Sequence, residues 1–446
     1  MISSEFASAP EGRISKCLKR QNGSTLSAED TYNLYQTKFP GVVWDQDNWL
    51  LTTATLDRGH YQSRGSVANG YLGINVAAVG PFFELDSPDN GNEISGWPLF
   101  SRRQTFATIS GFFDAQPTTN ETNFGWLTQY GYESVISGVP HWSGLVLDLG
   151  DGTYLDSKVD NRTLSAFSSE YDFKAGVLSW SYQWTPRGDK GSYNITYRLF
   201  ANKLYVNQAV VHMEIIPSVQ TDATVVNVID GYSAVRTDFV HSGVDPDQAI
   251  FTAVRPWGIS NVTAYVYANI TGSEGVDLSS RSIVSDKPYV SANQSSIAQS
   301  VSVKLFPERK LCITKFVGAA SSDAFSNPRQ AARRAASLSS ENGYLSSLHS
   351  HVSEWAQVMP ENSVDDFSYP ENGTLSADEH IISSAIISVA STYYLLQNTV
   401  SQQAIRAAAS ASLNMDSIAP GGLTSDSYAG MVFWDVSFIP EGQIYY

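Results

Sequence analysis

The chain has 446 residues with 28 basic and 44 acidic side chains, a formal net charge of −16 that would repel phosphate backbones and argues against a nucleic-acid partner. Hydrophobic content of 42% and aromatic content of 12% argue against wholesale disorder, and the length exceeds one core, since domains split beyond ~250–300 residues. The only cysteines are Cys17 and Cys312, with no CxxC pair, so neither a disulfide scaffold nor a structural zinc site has support, though one disulfide is possible.

Residues 1–40 read as a polar lead. The first 25 residues hold no apolar run, so no signal peptide is visible there. Lys19-Arg20 reads either as a dibasic processing site or as two solvated charges. From Val42 to about Lys315 the texture is β: short runs rich in Val, Ile, Tyr, Thr and Phe alternate with Gly, Asn, Asp and Pro. Strands are expected at Gly144–Leu149, Tyr193–Ala201, Val206–Ile216, Val262–Ile270 and Ser300–Phe306. Turns are expected at Asp151-Gly152, Arg187-Gly188-Asp189 and Asp230-Gly231. A stretch of this kind over 41–320 predicts a large antiparallel sandwich.

The texture changes near Asn327. Asn327-Pro328 predicts a helix start with Pro in the first turn, and Arg329–Trp355 reads as helix, broken at Asn342-Gly343. The linker, 321–372, ends in a polar spacer around Pro360–Pro370. Ser376 with Glu379 three residues later gives a capping-box pattern that opens a helix through Gln397. Its apolar stripe is Ile381, Ile382, Ala385, Ile386, Val389, Ala390, Tyr393 and Leu396. Gln402–Leu413 reads as further helix. No run of ~18 apolar residues exists, so no membrane span is expected.

Eight Asn-x-Ser/Thr sequons, at Asn22, Asn120, Asn161, Asn194, Asn261, Asn269, Asn293 and Asn372, point to an extracellular, cell-wall or vacuolar glycoprotein. Chance in a Ser/Thr/Asn-rich chain is the bland alternative. There is no GxxxxGK[ST], GxGxxG, HExxH or GxSxG. His349 and His351, two apart on a predicted helix, point different ways and read as surface histidines rather than a metal pair. Asp86–Glu93 hints at a calcium loop, but Pro88 stands where a ligand is needed, so it reads as a turn.

Two segments stand out. In Gly59–Asn75, GHYQSRGSVANGYLGIN, Asn69-Gly70 can take positive φ, which a plain structural turn would also explain. In Asn414–Asp435, NMDSIAPGGLTSDSYAGMVFWD, Phe433-Trp434-Asp435 pairs an indole with a carboxylate. An indole face covers the apolar face of a sugar ring, and a carboxylate accepts from adjacent hydroxyls. A buried Trp beside a helix-capping Asp is the structural alternative.

The second segment, through Gly421-Gly422-Leu423-Thr424, Tyr428, Gly430 and Phe433-Trp434-Asp435, resembles the conserved loop of the acid trehalases. These share glycoside hydrolase family 65 with maltose and kojibiose phosphorylases. Ser63–Gly73 resembles the same family's N-terminal motif, and the likeness runs from about residue 30 to Asp435. It implies an α+β multidomain protein: an N-terminal super-β-sandwich (41–320), a helical linker (321–372), then an (α/α)₆ barrel that opens at 373–435. It implies inverting hydrolysis of α,α-trehalose to glucose, with no metal or organic cofactor. Trp434 and Asp435, beside Phe433, would line the glycone subsite.

The alternatives are a disaccharide phosphorylase of the same family and a non-catalytic carbohydrate-binding β-sandwich. The family's general-acid Glu lies well downstream, so no catalytic residue is identifiable here, and the chain as written is expected not to hydrolyse trehalose. A search for a substitute carboxylate would fall on Asp365, Asp366, Asp426 and Glu441. Residues 436–446 depart from the family and are expected to be non-family sequence, because Val436-Ser437 can be encoded by a 5′ splice-site-like GTN-AGT.

Overall fold

The computed structural model describes residues 33–58, 65–85, 104–117, 132–133 and 136–413. Within them the β texture resolves into antiparallel sheets. In the largest, eleven strands lie side by side in the order Leu34–Gln36, Val42–Asp45, Leu50–Thr53, Leu164–Asp172, Val177–Trp184, Tyr193–Ala201, Gln208–Pro217, Leu311–Ser321, Ala264–Gly272, Ile250–Pro256 and Thr237–Val244. A five-stranded sheet runs Tyr154–Leu155, Leu145–Asp148, Thr221–Ile229, Ile297–Leu305, Val276–Ile283. A three-stranded sheet is formed by Ser66–Ala68, Leu72–Asn75 and Ala107–Ile109.

These sheets share one core. Trp180, Tyr197, Val211 and Ile313 of the large sheet, Leu147, Val225 and Val301 of the second, and Leu72, Ile74 and Ile109 of the third belong to one buried cluster. Alternation along Tyr193–Ala201 shows why: Tyr193, Ile195 and Tyr197 are buried while Asn194 is exposed. The turn residues behave as their chemistry demands. Asp151 and Gly152 both take positive φ, 52° and 72°, to reverse the chain between Leu145–Asp148 and Tyr154–Leu155.

Helix α1 covers Pro328–Val358, α2 Glu379–Gln397 and α3 Gln402–Ala407. Asn327 caps α1, its side chain accepting from the Gln330 N–H, with Pro at the first position. Gly343, at φ 80°, breaks the helix where Asn342-Gly343 predicted a break. The predicted cap of α2 is displaced. Asp378, not Ser376, is the N-cap and accepts from the His380 N–H, while the Ser376 hydroxyl accepts from the Asp378 N–H. Asp378 stands directly before the first helical residue, so its carboxylate reaches the orphan N–H that Ser376, two residues further back, does not. α3 is likewise shorter than the Gln402–Leu413 expected.

The stripe on α2 is where its spacing placed it. Ile382, Ala385, Val389 and Tyr393 are buried with Trp44 of the large sheet, Trp49 and Phe173 in turns at its strand ends, and Trp355 of α1. Trp355 stacks on Tyr393 with centroids 4.7 Å apart. Lower on α1, Leu348 and Val352 pack on Val177, Phe200, Val210 and Phe316. No helix among the described residues is long and apolar enough to cross a membrane.

Candidate functional site

Phe433, Trp434 and Asp435 lie outside the described residues, as do Gly421 to Gly430, Asp426 and Glu441. What the structure does place is their approach. The Ser412 N–H donates to Ala324 O at 2.7 Å, Ala411 bridges Phe325, and Leu413 packs against the main core. The chain is therefore tied to the junction of strand Leu311–Ser321 and α1 just before the aromatic–carboxylate segment begins.

The other motif is described from Gly65 onward, and it is a clamp. Asn69 is fully buried; its Nδ2 donates to Asn202 O at 2.8 Å and Val206 O at 2.9 Å, while Oδ1 accepts from the N–H groups of Tyr71 and Leu72. All its hydrogen-bonding capacity goes to backbone, so none is left for a ligand. Gly70, at φ 89°, lies flat against the α2–α3 corner, so close that a Cβ there would stand 2.3 Å from the Thr399 carbonyl carbon. The turn joins the sheets to the helices.

Of the two described candidate carboxylates, Asp366 is occupied. Its Oδ2 accepts from the Trp49 indole at 3.1 Å and its Oδ1 from the Ser368 hydroxyl at 2.7 Å. Asp365 is exposed and accepts from the Phe367 N–H. Sequence reading did not single out the buried pair Asp156 and Asp230. Burial pushes both above the usual carboxylate range, against the N–H groups of Lys158 and Tyr232 that hold them. They face, with His141 and Tyr289, a cavity of about 40 Å³, room for water but not for a sugar ring.

A larger trough, about 630 Å³, lies over strands Val42–Asp45, Leu50–Thr53, Leu164–Asp172 and Val177–Trp184. Thr53, Phe167, Ser169, Tyr171 and Trp180 line it. The Tyr171 hydroxyl donates to Ser66 O and the Trp180 indole to Ala78 O, so the aromatic walls offer mainly apolar surface.

One donor set resembles a metal centre. Ligand atoms of His212, Glu214 and Cys312 lie within 4.8 Å of one another. Arg198 at 3.1 Å and Lys310 at 3.5 Å already neutralise Glu214, which stays ionised with its pKa lowered to about 2 despite burial, through His212 and these cations. Burial raises the Cys312 thiol. A cation entering here would meet two fixed positive charges, so the cluster reads as an ion-pair network. His349 and His351 are separated as their spacing predicted, but only His349 is on the surface. His351 is buried, its Nδ1 accepting from the Lys203 N–H and its Nε2 donating to Gly176 O, both at 3.0 Å.

Of the sequons, Asn161, Asn194, Asn261 and Asn372 are exposed, whereas Asn269 and Asn293 are half-buried. Asn269 Nδ2 reaches Ser340 Oγ on α1 at 3.3 Å. Asn22 and Asn120 lie outside the described residues, as do Cys17 and the Asp86–Glu93 turn.

The family described as glycosyl hydrolase family 65, N-terminal domain, matches residues 51–358. An acid trehalase of Emericella nidulans is 66% identical over 424 residues, 95% of this chain and 40% of that protein. A cell wall acid trehalase of Arthroderma benhamiae is 61% identical over 401 residues, 90% of this chain and 38% of that one. The chain thus spans about 40% of the length of these relatives. A solved structure from the human microbiome, described as a kojibiose phosphorylase, superposes with a TM-score of 0.57 at 12% identity, covering 81% of this chain and 43% of that one. That likeness is one of fold.

Proposed function

This chain belongs to glycosyl hydrolase family 65, and we propose that it is part of an acid trehalase that hydrolyses α,α-trehalose to glucose with inversion. The observation that carries this reading is 66% identity to an acid trehalase across 95% of the chain. In this reading the two large sheets form a super-β-sandwich over 41–320, 321–372 is the linker, and α2 and α3 open an (α/α)₆ barrel. Trp434 and Asp435, with Phe433 beside them, line the glycone subsite. Inversion sets an acid and a water-activating base ~6.5–9.5 Å apart across the bond. The test is a polypeptide extended to the length of the relatives and assayed on trehalose with and without inorganic phosphate. Two glucoses per trehalose at a phosphate-independent rate is the expected result. Phosphate-dependent formation of a glucose phosphate, or no cleavage, overturns the proposal.

We further infer an extracellular or cell-wall location, supported by the sequons and by the cell wall relative. Glycans should sit on Asn161, Asn194, Asn261 and Asn372, whose side chains face solvent. Asn269 should be bare, because a glycan there would push α1 off strand Ala264–Gly272. Enzymatic deglycosylation in heavy-oxygen water followed by peptide mass mapping reads each site. Occupied Asn269 beside bare Asn372 would contradict this assignment.

A further inference from the structure

Lys203 sits in the hairpin loop between strands Tyr193–Ala201 and Gln208–Pro217, a place where lysines are ordinarily solvated. Here its residue exposure is zero. Its Nζ donates to Leu396 O and, at 2.7 Å, to Thr399 O, the carbonyls that end α2, and lies 4.9 Å from the centre of the Trp355 ring. No carboxylate of the described residues is within ion-pair reach of it. The nearest acidic influence is Glu354 of α1, itself buried, whose Oε1 accepts from the hydroxyl of Ser401, the N-cap of α3. The α2–α3 corner is thus held from one side by the buried Lys203 amine and from the other by the buried Glu354.

We propose that Lys203 makes the α2–α3 corner a proton-sensitive joint, which opens more readily when the buried ammonium carries its proton. The geometry supplies the reason. Two carbonyls and a ring replace the hydration shell of an ammonium only in part, so the closed joint prefers the neutral amine, while an opened joint returns the side chain to water. Consistently, burial lowers Lys203 from 10.5 to about 7, against the opposing field of Glu354.

A group depressed in the closed state binds more protons when open between these two values, so opening becomes harder as pH rises through that window. Below it the joint is at its loosest. The other titratable groups around the corner are Glu354, His351 and Asp172. His351 of α1, which accepts the Lys203 backbone N–H, is lowered to about 3 by burial. Asp172, behind His351, accepts from the Ala175 N–H. The Asn69-Gly70 turn, α2 and α3 present no charged side chain to Lys203. This inference is independent of the substrate.

Hydrogen exchange at pH 7 and pH 9, read on peptides spanning 396–404 of the 446-residue chain and corrected for intrinsic exchange, tests it. Each pH unit inside the window changes opening tenfold, so roughly 10- to 100-fold more opening is expected at pH 7 than at pH 9. Peptides from strand Gln208–Pro217 serve as the control. Lys203→Met has nothing to titrate and should flatten the ratio to near one. If it fails to fold, Lys203→Arg, whose guanidinium keeps its proton throughout, should flatten it equally. Equal protection of the corner at both pH values in the unaltered chain overturns the proposal, as does a steep ratio that survives in either variant.

Discussion

Gly70→Ala is expected to destabilise the chain by about 3 kcal/mol or more, and to do so by unseating the helices rather than by disturbing the turn alone. Two effects add. Gly70 holds φ 89°, and a residue with a Cβ gives up ~1–2 kcal/mol in the left-handed region. The new Cβ would also stand 2.3 Å from the Thr399 carbonyl carbon, 2.4 Å from its oxygen and 2.5 Å from the Val400 nitrogen. These are backbone atoms of a corner pinned by Lys203 and by the buried Val400, so they cannot rotate away as a side-chain tip would. Gly188→Ala separates the two effects. Gly188, in a turn, has a positive φ of 76° with nothing within 4 Å of its would-be Cβ, so it should lose only the conformational part. Urea unfolding of both variants gives the comparison. Equal losses for the two would mean that the Gly70 contact with the helices carries no energy.

Apart from the displaced α2 cap and the short α3, local signals and structure agree. Strand Tyr193–Ala201 lies within the bounds its pattern set, and the Asn327-Pro328 start, the Gly343 break and the α2 stripe all follow from spacing and capping chemistry. What sequence could not show is non-local. Leu311–Ser321 inserts between Gln208–Pro217 and Ala264–Gly272, a neighbourhood set by pairings dozens of residues apart. His351 reads like its neighbour His349 until Gly176 and Lys203 close over it. Lys203 is buried because segments nearly 200 positions apart meet there, and no window around it carries that signal. Asn69-Gly70 was legible as a turn. That the turn's partner is Thr399 was not.

In a polypeptide extended to the length of the relatives, Asp435→Ala should lower kcat/KM on trehalose by ~10²–10³-fold while leaving the β-domain's melting unchanged. A carboxylate that accepts from two neighbouring sugar hydroxyls makes two charge-assisted hydrogen bonds of ~1.5–3 kcal/mol each, and truncation leaves both hydroxyls unpaired in a site that excludes water. Trp434→Ala should act differently, because an indole face supplies dispersion and burial that ground state and transition state share. Its loss should appear mostly in KM. Melting of the β-domain, in whose described core Val400 and Ala404 are buried with Leu413 packed against it, is the control for folding. Measuring kcat and KM separately for the two variants decides the matter. Near-normal kinetics for Asp435→Ala removes the carboxylate from the glycone subsite, and a loss confined to kcat for Trp434→Ala would give the indole a part in the transition state instead of in binding.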